Sequence, residues 1–206
     1  MNADALKNRE VYIVVDKSGS MSTPDCAGGK SRWDYMKESV SAIAKLVAPY
    51  DPDGITVVPF ANQFKVYDNV TPTVVDQIFS ENTPMGGTDL AAVLTEVFAR
   101  CVAQKKNGTL KANGSLILVA TDGQPNDKEA AKKAIVNFAN SLEKDEEAGI
   151  LFIQVGKDPD AAKFLTELDD DLVAKNGAKF DIVDTKSFDA VENMAFEDVL
   201  LGAIND

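Results

Sequence analysis

The sequence predicts a doubly wound α/β fold, a mostly parallel central sheet of about six strands with one antiparallel edge strand and helices on both faces. Three observations predict it. Short, β-branched, almost fully apolar runs recur along the 206 residues. Segments with helical apolar spacing separate them, and one return between neighbouring runs is too short to hold a crossover helix. Runs without polar alternation read as strands buried on both faces, as a parallel sheet requires.

Residues 1–9 carry charge of both signs and no apolar stretch, and are expected as a loosely held lead-in to a single domain over 10–206. Val11–Val15 is the first strand. Trp33, Met36, Val40, Ile43 and Val47 then recur at three- to four-residue spacing, which gives one apolar helical face. Ile55–Val58 is the second strand. Gln63–Asn69 follows it closely and returns as the antiparallel edge hairpin. Leu90, Leu94, Val97 and Cys101 mark the next helix, and Leu116–Ala120 the next buried strand. The pattern repeats with a helix through Ala131, Ile135, Phe138 and Leu142, then a strand at Ile150–Val155. A helix through Phe164, Leu165, Leu168 and Leu172, a strand at Phe180–Val183 and a last helix through Phe188, Val191, Ala195 and Val199 complete the alternation. Right-handed crossovers connect such units.

Composition excludes several function classes. The chain has no histidine, so Ser-His-Asp and Cys-His nucleophile systems and the HExxH zinc site cannot be built from it alone. Acid–base work would fall to carboxylates, lysine, tyrosine or metal-bound water. A formal charge of −12 argues against nucleic acid and against anionic membrane surfaces as partners. No apolar run approaches the roughly 20 residues of a membrane span. Two cysteines, Cys26 and Cys101, are too few for a disulfide framework, and with no signal peptide in view a reduced cytoplasmic protein is expected.

In a parallel α/β sheet the functional groups collect on loops at the carboxyl ends of the strands. Three loops stand out. The first strand runs into Asp16-Lys17-Ser18-Gly19-Ser20-Met21, the helix at Leu90 is preceded by Met85-Gly86-Gly87-Thr88-Asp89, and Leu116–Ala120 leads into Thr121-Asp122-Gly123. They offer oxygen donors only, which suits a hard cation, and short hydroxyls suit magnesium or manganese better than calcium. Alternate spacing lets Asp16, Ser18 and Ser20 point inward from one tight loop. Each piece alone is ordinary turn or cap chemistry; Thr88 could simply cap a helix. All three in this order are specific.

The set Asp16, Ser18, Ser20, then Thr88, then Asp122, with the words DKSGSM, GGTDL and TDGQPND, resembles a von Willebrand factor A domain with a complete metal-ion-dependent adhesion site of the bacterial, stand-alone intracellular type. The resemblance covers about Glu10 to Ile204. It implies that Ser18 and Ser20 bind the cation directly, Thr88 directly or through water, and Asp16 and Asp122 mostly through bridging waters. It further implies a magnesium or manganese ion with one open position, filled by a glutamate or aspartate of a partner protein. A non-enzymatic, metal-dependent protein-interaction module is therefore expected. The alternative is a magnesium-dependent phosphoryl-transfer enzyme with Asp16 as nucleophile. Against it, Ser18 stands where haloacid-dehalogenase-like phosphatases carry a second aspartate, and the chain has no GxxxxGK[ST] loop. In family members with inserted-domain behaviour, ligand binding is coupled to a shift of the last helix, here Phe188–Ala203.

Neighbouring residues read more plainly. Asp89 serves equally well as a carboxylate behind the site or as the first-turn charge of its helix. Cys101 and Trp33 sit on apolar stripes and read as core, and the acidic runs at 144–147 and 169–171 as solvated surface. The acidity is lopsided: residues 1–121 hold 13 acids and 12 bases, and residues 122–206 hold 20 acids and 9 bases. A partner carboxylate is accordingly expected to approach from the side of Lys17, Lys30 and Arg32.

Overall fold

A computed structural model of the chain describes residues 7–50 and 53–187. Six strands form one sheet: β1 (Glu10–Asp16), β2 (Ile55–Phe60), β3 (Tyr67–Val70), β4 (Ser115–Thr121), β5 (Ala148–Gln154) and β6 (Val183–Ser187). Their spatial order is β3-β2-β1-β4-β5-β6. Every pairing is parallel except β2 with β3, so the edge hairpin expected after the second strand is present. The helices are α1 (Arg32–Val47), α2 (Val75–Glu81), α3 (Leu90–Asn107), α4 (Lys128–Ser141), α5 (Pro159–Asp170) and α6 (Leu172–Asn176).

The pleat divides the core in two. On β1, Val11, Ile13 and Val15 face one way and pack with Trp33, Met36, Val40 and Ile43 of α1 and with Val75, Ile78 and Phe79 of α2. Tyr12 and Val14 face the other way, against Leu90, Leu94 and Val97 of α3, Ile135 and Phe138 of α4 and Phe164 and Leu168 of α5. Successive side chains alternate across a strand, so a strand covered on both faces is apolar along nearly its whole length. Each such Val or Ile side chain contributes roughly 2 kcal/mol by leaving water. Side chains set the helix starts: Ser31 accepts from the backbone N–H of Asp34, Asp89 from Ala92, Asp127 from Ala130, and Asp158 from Asp160 and Ala161. Trp33 and Cys101 are buried in the core as their stripes indicate, with the Trp33 ring tilted against Phe79.

The structure departs from the periodicity in three places. The last described strand is Val183–Ser187, not Phe180–Val183. Among the described residues β6 pairs only with β5, and it is half-exposed beyond Val183, so it lacks the apolar continuity of the inner strands, while the apolar run before it packs as a loop. Helix α2 escapes the pattern because its seven residues span only two turns. The stripe from Phe164 to Leu172 is broken at Asp171, which closes α5 and opens α6. The stripe from Phe188 to Val199, and with it the last-helix segment Phe188–Ala203, lies outside the described residues, as do residues 1–6. Among the described residues no helix is long and apolar enough to cross a membrane.

Candidate metal centre

From β1 the chain passes through α1 to β2 and β3 on one side, then returns through α3 to β4 on the other side of β1. This reversal leaves a crevice outside the carboxyl ends of β1 and β4, the place where open α/β sheets bind ligands. The three loops singled out in the sequence meet there.

Asp16 ends β1 and is fully buried. Its Oδ1 accepts from the backbone N–H of Ser18 at 2.7 Å, and its Oδ2 accepts from the Thr121 hydroxyl at 2.8 Å. Burial pushes its pKa up to about 6; the donors at Ser18 and Thr121 oppose that rise, and the nearby Asp122 adds to it. A turn of 3-10 helix at Gly19–Ser22 follows, pinned by the buried side chain of Met21. It brings the Ser18 and Ser20 hydroxyls to 3.1 Å from one another, and Ser20 Oγ donates to Asp122 Oδ1 at 2.8 Å. Four of the five residues singled out in the sequence are thus joined in one hydrogen-bonded cluster.

Thr88, the fifth, is buried on a loop clamped to both neighbours. Met85 N–H donates to the carbonyl of Lys17 at 2.7 Å and Gly19 N–H to that of Gly86 at 3.3 Å. Gly86 has φ +85°, a left-handed conformation that a side chain would strain. A Cβ on Gly87 would lie 2.8 Å from Asn62 Oδ1, the atom that accepts its N–H. Asn126, beyond Asp122, accepts from Thr88 N–H at 3.1 Å and donates its own N–H to the Thr88 carbonyl at 2.8 Å. Asp89 resolves to the helix-capping role, accepting from Ala92 N–H at 3.1 Å.

Sequence patterns missed several residues that shape this centre. Thr121, Asn62 and Asn126 act through bonds between segments far apart in the chain, a relation that no local spacing encodes. Arg32 is the most consequential. Its Nε and Nη2 grip Asp25 at 2.9 and 2.6 Å, and its Nη1 reaches Asp122 Oδ2 at 2.8 Å. Those hydrogen bonds, Asp25's first, push the guanidinium pKa up, and Arg32 in turn holds Asp25 below the usual carboxylate range. The guanidinium lies against Gly156, where a Cβ would come within 2.5 Å of Arg32 Cζ. Both carboxylate oxygens of Asp122 are therefore engaged, one by Ser20 and one by Arg32. The expected basic approach side changes accordingly: Arg32 is turned into the site, only 13% exposed, and Lys30 is paired with Glu38 at 2.6 Å. Beside Ser20, Arg32 and Asp122 opens a cavity of about 600 Å³, bounded on its far side by Gly156–Asp160.

The donor set is all oxygen, and three of its five residues are hydroxyls. For that reason no group of three among His, Cys, Asp and Glu gathers as a metal site among the described residues. The O···O separations of 3.1 and 2.8 Å match the edge of an octahedron of metal–oxygen bonds, roughly 3.0 Å for magnesium against about 3.4 Å for calcium. The residues present fit a small hard cation, which could replace the hydrogen bonds without moving the oxygens apart.

A family model described as the von Willebrand factor type A domain matches residues 11–124. The chain is 26% identical over 171 residues to calcium-activated chloride channel regulator 1 of Bos taurus, a match covering 80% of this chain and 16% of that protein. Among solved structures, a mutant of the PilB minor pilin from Streptococcus sanguinis superposes with a TM-score of 0.65 at 16% identity, over 95% of this chain and 61% of its own. Manganese-loaded TRAP protein of Plasmodium vivax gives 0.57 at 17% identity, over 89% and 70%. Proximal thread matrix protein 1 from the mussel byssus, with a zinc-occupied MIDAS motif, gives 0.59 at 17% identity, over 96% and 47%. These likenesses establish the fold, and the chain spans only a small part of the curated relative.

Proposed function

Because this chain belongs to the von Willebrand factor type A domain family, we propose that it is a divalent-metal-dependent protein-interaction module whose cation is held by Asp16, Ser18, Ser20, Thr88 and Asp122. The observation that carries the reading is the cluster Ser18 Oγ, Ser20 Oγ and Asp122 Oδ1, spaced at 3.1 and 2.8 Å beside the buried Asp16. Magnesium or manganese suits these oxygens, and the neighbours solved manganese-loaded and with a zinc-occupied MIDAS motif support a divalent ion. Bound there, the ion would supply a Lewis-acidic position for one carboxylate oxygen of a glutamate or aspartate on a partner protein.

The chain's own residues do the rest. Asp16 holds the turn through Ser18 N–H, Thr121 fixes the Asp16 rotamer, and Asn62 and Asn126 hold the Thr88 loop against the other two. Asp16 is poorly placed as a phosphoryl nucleophile, since it is fully buried and both its oxygens accept hydrogen bonds. The reading takes residues 10–206 as one domain after a lead-in at 1–9. Cys26 and Cys101 are buried in different core clusters and form no disulfide with one another, which supports a reducing compartment, the cytoplasm.

Titrating metal-free protein with magnesium or manganese in a calorimeter tests the centre. Saturable binding is expected, weakened at least about tenfold by Ser18→Ala and by Thr88→Ala. Binding that survives both substitutions unchanged would refute the ligand assignment. Hydrolysis of a phosphate ester that Asp16→Asn abolishes would refute the non-enzymatic reading.

A further inference from the structure

We propose that Arg32 is a positioning residue that sets the charge of the metal centre, loosening its hold on the cation and leaving the loaded site able to accept a carboxylate. The inference rests on the metal-dependent reading above.

Arg32 is the first residue of α1, yet its side chain ties together three segments: Asp25 in the loop before the helix, Asp122 after β4, and Gly156 after β5. The Asp122 side chain is fully buried, so its charge is compensated by what touches it and not by water. Arg32 is the fixed cation in contact with it, and a guanidinium stays protonated at any working pH.

The charge count gives the consequence. Asp16, Asp25 and Asp122 carry three negative charges and Arg32 one positive, a net of −2 for this hydrogen-bonded set. A divalent ion brings that to zero, and a carboxylate then meets a neutral centre. Without Arg32 the same set stands at −3 and, once loaded, at −1; the cation is held more tightly and the incoming anion is repelled. Arg32 also occupies Asp122 Oδ2, leaving Oδ1 alone on the side of Ser20. Asp25 acts in the opposite sense: it is 40% exposed on its side chain, and its removal would leave Arg32 to act on Asp122 unshared.

The test measures two affinities on the full chain: manganese by calorimetry, and acetate by the relaxation of its methyl protons in protein saturated with manganese. For Arg32→Gln, manganese should bind about tenfold tighter and acetate about tenfold weaker, the order expected for one charge one carboxylate away from the ion. Arg32→Lys, which keeps the charge but not the fork, should stay within about twofold of wild type on both. Asp25→Asn should shift both affinities the other way. A merely structural brace would instead weaken both affinities in Arg32→Gln, without rescue by lysine. That result, or no change in either, overturns the proposal while leaving the metal reading intact. A wild-type protein that binds no manganese overturns both. If Arg32→Gln does not fold, the opposed shifts in Asp25→Asn and the near-wild-type behaviour of Arg32→Lys decide the matter.

Discussion

The charge on Asp16 should make the metal-free protein pay for its own binding site, and Asp16→Asn exposes the effect. The carboxyl is fully buried, and its pKa rises from 3.8 to about 6 on folding. A raised pKa means that the folded state prefers the neutral acid. The associated stability is complete below about pH 4 and is lost as pH rises through about 6. Above that, metal-free protein carries the whole penalty, two pKa units or about 3 kcal/mol. Asparagine avoids it and fits the same bonds. Its oxygen can accept from Ser18 N–H, and its amide can donate to Thr121 Oγ1, whose hydroxyl can turn to the Gly123 carbonyl at 3.4 Å. In chelator at about pH 8, Asp16→Asn should melt roughly 6–12 °C above wild type, at about 2–4 °C per kcal/mol for a domain of this size. At about pH 4 the two should coincide. Magnesium should raise the wild-type melting temperature and leave the variant unmoved. Scanning calorimetry across pH, with and without magnesium, reads all of this. A variant less stable than wild type at about pH 8, or a gap that does not change with pH, would refute the reasoning.

Other outcomes follow from single contacts. Gly156→Ala combines a φ of +82° with a Cβ in the Arg32 guanidinium; it should cost about 2 kcal/mol in a denaturant melt and shift manganese affinity in the same direction as Arg32→Gln. Gly114→Ala drives a Cβ into the Glu147 carbonyl at φ +73°, where only backbone could yield, and should cost about 3 kcal/mol or more by the same assay. Burial pushes the Cys101 thiol up to about 11, and Cys26 is buried as well. Neither should react with iodoacetamide at about pH 8 until denaturant is added, as mass spectrometry of the labelled protein would show.

The alternation of elements was legible because burial on both faces demands mostly apolar residues, which β1, β2, β4 and β5 carry apart from a few polar positions, chiefly at their ends. Legibility faded where burial was partial. Among the described residues β6 has one strand partner and reads as polar, and α2 is too short to show a period. For the site, the spacing of Asp16, Ser18 and Ser20 is local and could be read directly. Thr88 and Asp122 could be grouped with them because functional loops collect at the carboxyl ends of parallel strands, the family pattern supplied their ligand roles, and the structure joined Ser20 to Asp122 directly.

By itself the sequence determined the chemistry on offer: no imidazole, oxygen donors on three loops, and strands that had to lie in the middle of a sheet. The tertiary structure decided how the charges are disposed. Arg32 looked like part of a basic rim and is instead bonded to Asp25 and Asp122, and Asp89 became a helix cap. Spacing along a chain reports which side chains share a turn or a face. Which charges end up within a hydrogen bond of one another, across 90 residues in the case of Arg32 and Asp122, depends on how loops from separate strands pack together.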